Sequence, residues 1–188
     1  MTLEDLRDEA TRREPLIRRA AWVVLGLSLL AFVVRGADGP ADPVVSTAER
    51  HAVPGFPEIR LRVVPPTGGF LEWCALMAES VAARERGLMN QTDLSGYDAM
   101  VFRFPAPATD AFYMYDTKIP LSIAWFSANG HFVGSADMAP CPASDPKACP
   151  LYHAPAAYQA AIEVPKGELG RLGLIPGSVV SAPKGACR

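Results

Sequence analysis

Two hydrophobic patterns divide the chain. From Ala20 to Val34 it reads AAWVVLGLSLLAFVV, an uncharged apolar run with one serine, closed by Arg18 and Arg19 on one side and Arg35 on the other. Beyond residue 58 the apolar positions fall into short runs with a period of two, the signature of half-buried strands. Ile59 to Val64 alternates strictly and keeps Arg60 and Arg62 on the opposite side from its aliphatic residues. Phe70–Leu76, Ala99–Phe104, Ala111–Tyr115, Leu121–Ser127, His131–Met138, Tyr158–Val164 and Ser178–Val180 continue the pattern. Asn129-Gly130 between two of these runs is a strong hairpin signal. Ser80 is placed to N-cap a short helix over Val81–Arg86, with Gly87 to close it. Lys166–Leu174 has room for one or two further helical turns before Gly173 ends it. The pattern predicts a mainly β, β-rich α+β fold: one compact antiparallel, barrel-like domain with two short helices, and no βαβ rhythm.

The apolar run predicts an N-terminal transmembrane helix. Fifteen residues span roughly 22 Å as a helix, and arginines snorkelling at both ends, with Leu16 and Ile17, extend its reach toward the bilayer thickness. A cleaved signal peptide is the alternative, although the polar leader is long for one and Pro40 spoils the small-residue site at Ala37-Asp38-Gly39. A buried core helix is the third reading. The expected organisation is a cytoplasmic leader over 1–19, an anchor or uncleaved signal over 20–35, a Pro/Gly-rich linker over 36–58 and an extracytoplasmic domain over 59–188. The anchor reading makes the membrane a partner through that helix and puts the C-terminal domain outside the cytoplasm.

Composition narrows the functions. Lys+Arg number 18 and Asp+Glu 20, for a net charge of −2, so nothing basic invites nucleic acid. The four cysteines suit an exported, disulfide-bonded domain. Cys141 and Cys149 bracket a Pro-rich loop whose closure would stabilise by about 2–3 kcal/mol on the chain-entropy model. Cys74 and Cys187 are the pair that remains. A metal reading through Cys141, Cys149 and His153 fails on spacing and on the missing fourth ligand. No cofactor fingerprint, G-x-S-x-G, H-E-x-x-H or phosphate-binding Gly-rich loop is present.

Four motifs carry a resemblance. Ala83-Arg84-Glu85-Arg86-Gly87-Leu88-Met89 resembles E-R-x-x-G-L-M. Met100-Val101-Phe102 stands where G-M-L-F is expected. Phe112 to Leu121 resembles F-W-M-K-N-T-x-I-P-L, and Met138-Ala139-Pro140-Cys141 through Cys149-Pro150-Leu151-Tyr152 resembles A-P-C…C-P-x-Y. In this order they are similar to the family numbered 192 among the domains of unknown function, a small β-rich bacterial and archaeal domain often preceded by a signal peptide or anchor. The resemblance implies a fold and a pocket, and no reaction. Tyr115, Asp116 and Ser122 depart from the family's Lys, Asn and Asp, so a polar site built on those positions is altered here.

The candidate binding residues are Arg84, Tyr113, Met114, Tyr115, Asp116, Thr117 and Glu163. Arg84 suits either an anion grip or an ion pair with Asp116 or Glu163 that pins the helix to the barrel. The 113–117 cluster reads equally as a pocket wall or as a strand end whose Asp and Thr cap backbone amides. The three histidines, His51, His131 and His153, have no evident catalytic partner. The favoured function is a membrane-anchored module that binds a small ligand or an envelope partner. The alternatives are an envelope hydrolase using Asp116 and Glu163 near Arg84, or an accessory of a secretion or pilus apparatus.

Overall fold

The structure, a computed structural model, describes residues 49–187. The expected membrane segment over 20–35 lies outside the described residues, as do the leader and most of the linker. Among the described residues no helix is long and apolar enough to cross a membrane.

Seven strands form one curled sheet. They are β1 (Glu58–Val64), β2 (Leu71–Ala78), β3 (Ala99–Ala108), β4 (Leu121–Phe126), β5 (Phe132–Met138), β6 (Tyr158–Pro165) and β7 (Val179–Ser181). Their spatial order is β5-β4-β6-β3-β2-β1-β7. The two ends of this half-barrel meet where the Phe132 amide donates to Ser178 O at 3.0 Å and the Val180 amide to Gly130 O at 2.8 Å. Gly130 is required at this seam: its φ is +76°, and a Cβ there would collide with the Val180 carbonyl.

The expected all-antiparallel pairing is corrected at one place. β2 and β3 run parallel, with Ala75 opposite Ala99 and Ala78 opposite Phe102. A parallel neighbour needs a crossover of a dozen or more residues. The stretch from 79 to 98 supplies it, and α1 (Val81–Arg86) lies within it. The chain therefore contains one strand–helix–strand unit after all. Ser80 caps α1 as expected, its hydroxyl accepting the Ala83 amide at 3.1 Å, and the Gly87 amide closes the helix on Ala83 O.

Three further expectations are corrected. Ala111–Tyr115 is not a strand; it makes only single bridges, Phe112 to Tyr152 and Tyr115 to Cys141, because the backbone turns at Asp116 with φ +52°. Lys166–Leu174 forms turns rather than a helix, and they carry Leu172 and Leu174 into the core. The second helical piece is instead the short 3-10 turn Pro146–Ala148, inside the cysteine loop.

Strand alternation sorts the core into two faces. Leu61, Val63, Ala75, Met77, Val101, Ala124, Phe126 and Ile162 share one face with Leu172 and Leu174. Both edges of the sheet reach it, through Phe132 and Val180, so it is the inside of the curl. The outer face carries Leu76, Met100, Phe102, Ile123, Trp125 and Ala161. It is covered by α1 and the turns after it, by Phe112 and Met114, and by Val53 and Phe56 from the incoming chain. Residues 49–57, expected as tether, are thus packed against the body. Phe56 is buried, Arg50 pairs with Glu58 at 3.1 Å, and the His51 amide donates to Ser95 O.

Both expected disulfides are formed, Cys141–Cys149 and Cys74–Cys187, with Cα separations of 5.6 and 5.5 Å. The second ties the C-terminal tail across 113 residues to β2. Among the described residues no group of His, Cys, Asp or Glu is arranged to hold a metal ion.

Candidate functional site

On the outer face a cleft of about 430 Å3 opens between α1 and the segment from Asp110 to Thr117. Its volume lies in the range of small-molecule sites. β3 sends Phe102 and Phe104 into it from alternate positions, and β6 sends Tyr158 and Glu163. Phe112 closes the far side. The rings form adjoining walls: Phe102 meets Phe112, and Phe104 meets Tyr158, each edge to face at 5.2 Å. Gly87 is positioned so that a Cβ would press on the Phe102 ring at 3.2 Å, which lets α1 approach that wall closely.

Glu163 is the unusual residue. It is 5% exposed, and its neighbours across the strands are Met100 and Ile123, neither of which can bond to it. Burial alone, with no charge or hydrogen-bond partner contributing, pushes its carboxyl up to about 8. At neutral pH the group is therefore mostly a carboxylic acid, able to donate as well as accept. One diagonal step away on the same face, the buried Trp125 indole nitrogen also has no partner.

The other polar groups near the cleft are engaged. The Tyr158 hydroxyl donates to Asp110 O at 2.8 Å; burial first, and then the Asp110 charge, push its phenol up to about 12. The Arg84 guanidinium donates to the carbonyls of Glu79 and Arg103 and lies over Phe104 at 4.9 Å from the ring centre. Arg86 donates to Pro54 O and lies over Phe56 at 4.1 Å. The expected ion pair of Arg84 with Asp116 or Glu163 does not form. Backbone carbonyls hold the guanidinium instead, and α1 is pinned to the sheet by them and by Phe104.

Of the seven residues singled out from sequence, the cleft gathers Arg84, Tyr113, Thr117 and Glu163. Met114 is buried in the core beside them, 1% exposed. Tyr115 and Asp116 do not line the cleft; Asp116 is at the surface, 3.5 Å from Lys118. The pairing of Asp116 with Glu163 that a two-carboxylate hydrolase needs is therefore not assembled. Sequence reasoning passed over Phe102, Phe104, Phe112, Tyr158 and Asp110. The alternating Phe102 and Phe104 were visible as one face, but nothing in the pattern says that a face covered at one end is open at the other.

A second hollow of about 450 Å3 lies at the mouth of the curl, over Leu61, Val101 and Ile162 and under the seam at Asn129–Gly130. Arg103 at its edge is paired with Glu79 at 3.3 Å.

The sequence pattern of the DUF192 family, described as an uncharacterized ACR, matches residues 64–182. The chain belongs to DUF192. In this DUF192 domain the E-R-x-x-G-L-M-like motif builds α1 and the near wall of the cleft, and the motif beginning at Phe112 builds the far wall. The departures at Tyr115, Asp116 and Ser122 fall outside the cleft. Ser122 is buried on the inner face, where it donates to Asp137 at 2.5 Å and accepts the Gly167 amide at 2.9 Å.

No curated protein is significantly similar to this DUF192 chain in sequence. Solved structures similar in fold include two crystal structures. A protein of unknown function from Novosphingobium aromaticivorans is 25% identical, with a TM-score of 0.62 over 76% of this chain and 99% of that one. A protein from Sinorhizobium meliloti, provisionally described as a transcription regulator, is 20% identical, with a TM-score of 0.60 over 70% of this chain and 98% of that one.

Proposed function

We propose that this DUF192 domain is a small-ligand-binding module of the cell envelope, tethered to the membrane by the apolar run over 20–35 and held outside the cytoplasm. Glu163 carries the binding reading. A carboxyl buried at a cleft floor with no protein partner destabilises the fold, and a bound ligand that supplies the missing partner offsets that loss. The aromatic walls favour a ligand with an apolar or ring-like body. Two disulfides support the extracytoplasmic placement, since reducing compartments keep such thiols unpaired.

Thermal melting of the full chain in detergent micelles, against a panel of envelope sugars, short peptides and small amines, tests the binding reading. The expected result is a rise in melting temperature with at least one compound, lost in Glu163→Gln and in Phe112→Leu. A panel that shifts nothing overturns it. Protease added to intact spheroplasts tests the placement: digestion of the domain only after the membrane is breached overturns it.

A further inference from the structure

We infer that the cleft is built for an organic ammonium group, seated against the Glu163 carboxylate, with Phe102 and Phe112 as its nearer aromatic walls and Phe104 and Tyr158 lining the same cleft farther along. The inference rests on the ligand-binding reading above and names the ligand class.

The first argument is the inventory of free groups at depth. Glu163, Thr117 and Tyr158 are the buried polar residues lining the cleft. The Tyr158 hydroxyl is spent on Asp110 O, and Thr117 donates to Tyr115 O at 3.4 Å. That leaves one unpartnered carboxyl. A sugar or an amide needs several fixed donors and acceptors to orient it. An ammonium needs one acid and aromatic surface.

The second argument is that these walls already hold a cation. Arg84 lies over Phe104 with its hydrogen bonds turned away to backbone carbonyls. Arg84 takes the Phe104 face, and the cleft keeps Phe102 and Phe112 as further aromatic wall for an amine or quaternary ammonium group.

The third argument is charge. From α1 the cleft is faced by Arg84, Glu85 and Arg86, and from the opposite segment by Asp110. From β3 and β4 the groups beside Glu163 are Met100 and Ile123, which carry no charge. Both arginines are anchored on carbonyls and rings, and neither neutralises Glu163. A cation entering the cleft does so, and drives the carboxylic acid to release its proton to solvent as it binds.

That proton makes the test specific. Choline and n-butylamine, with the uncharged choline isostere 3,3-dimethylbutan-1-ol, are titrated into the full chain by calorimetry from pH 6 to 9 in buffers of different ionisation enthalpy. The expected result is binding of an amine whose association constant rises about tenfold between pH 6 and 7 and levels off above pH 8. Close to one proton is released per ligand at pH 6. Glu163→Gln, with its fold checked by circular dichroism, weakens binding at least tenfold at pH 8.5. Phe112→Leu weakens it several-fold with the proton count unchanged. Should Glu163→Gln fail to fold, the proton count of the native chain decides. Equal binding of the isostere, pH-independent amine binding, or binding of sugars or peptides without either amine overturns the ammonium inference and leaves the cleft reading standing. Failure of every compound tested overturns both.

Discussion

The two faces of the sheet obey the same alternation and end in different chemistry. The inner face is filled mainly by its own strands, with Leu172 and Leu174 added, and opens at the mouth of the curl. Of its buried hydroxyls, Ser122 both donates and accepts a hydrogen bond, while Ser178 at the seam is left without a partner. The outer face cannot close on itself and depends on α1, on the incoming chain and on two long connections for cover. Where that cover gaps, Glu163 is left without a partner. A curled sheet thus separates the work of holding together from the work of contacting something else, and cover by loops is where a cleft is cheapest to leave open.

Substitutions on the two faces sharpen this contrast. Phe126→Ala empties the centre of the inner face, where the ring meets Phe132 at 5.7 Å. It is expected to cost about 3–5 kcal/mol in urea unfolding and to leave ligand binding in the cleft unchanged. Replacing both Cys74 and Cys187 by Ser removes a link across 113 residues, with an expected loss of about 4 kcal/mol by the same measurement.

Glu163→Gln acts with the opposite sign and depends on pH. The folded carboxyl titrates at about 8 against 4.5 for the free group, so its contribution is complete below pH 4.5 and is lost as pH rises through 8. Relative to the native chain, the Gln variant gains about 4–5 kcal/mol between pH 4 and pH 9, read from urea midpoints. A flat difference across that range would show that Glu163 has a partner after all. Ser80→Ala removes the cap of α1 and costs about 1 kcal/mol. It also loosens the near wall of the cleft, which hydrogen exchange of the 81–87 amides reads. Asp116→Asn, at the surface, outside the cleft and able to keep the positive φ, is expected to change stability by less than about 0.5 kcal/mol and to leave binding intact.

Much of the inner architecture was legible in the sequence because it is local. The alternation of Ile59–Val64, the Asn129-Gly130 hairpin and the Ser80 cap each follow from a few consecutive residues. Pairing direction is not local. The β2–β3 crossover was written as a helix between two strands, yet its parallel sense appears only once both strands find a place in the sheet. Ala111–Tyr115 misled because alternation there serves packing against the outer face rather than a ladder. The candidate site divided in the same way. Glu163, Arg84, Tyr113 and Thr117 came through their motifs, but Asp116 was drawn in by proximity in sequence and turned away by the backbone at its own positive φ. Arg84 was expected to seek a carboxylate, and two carbonyls were nearer.

Arg86 gives the incoming chain a hold on the cleft. Its guanidinium clasps Pro54 O and covers Phe56, while its own helix forms the near wall. The near wall of the cleft therefore shares a side chain with the segment that enters the domain, and a shift of Pro54 or Phe56 is felt at α1.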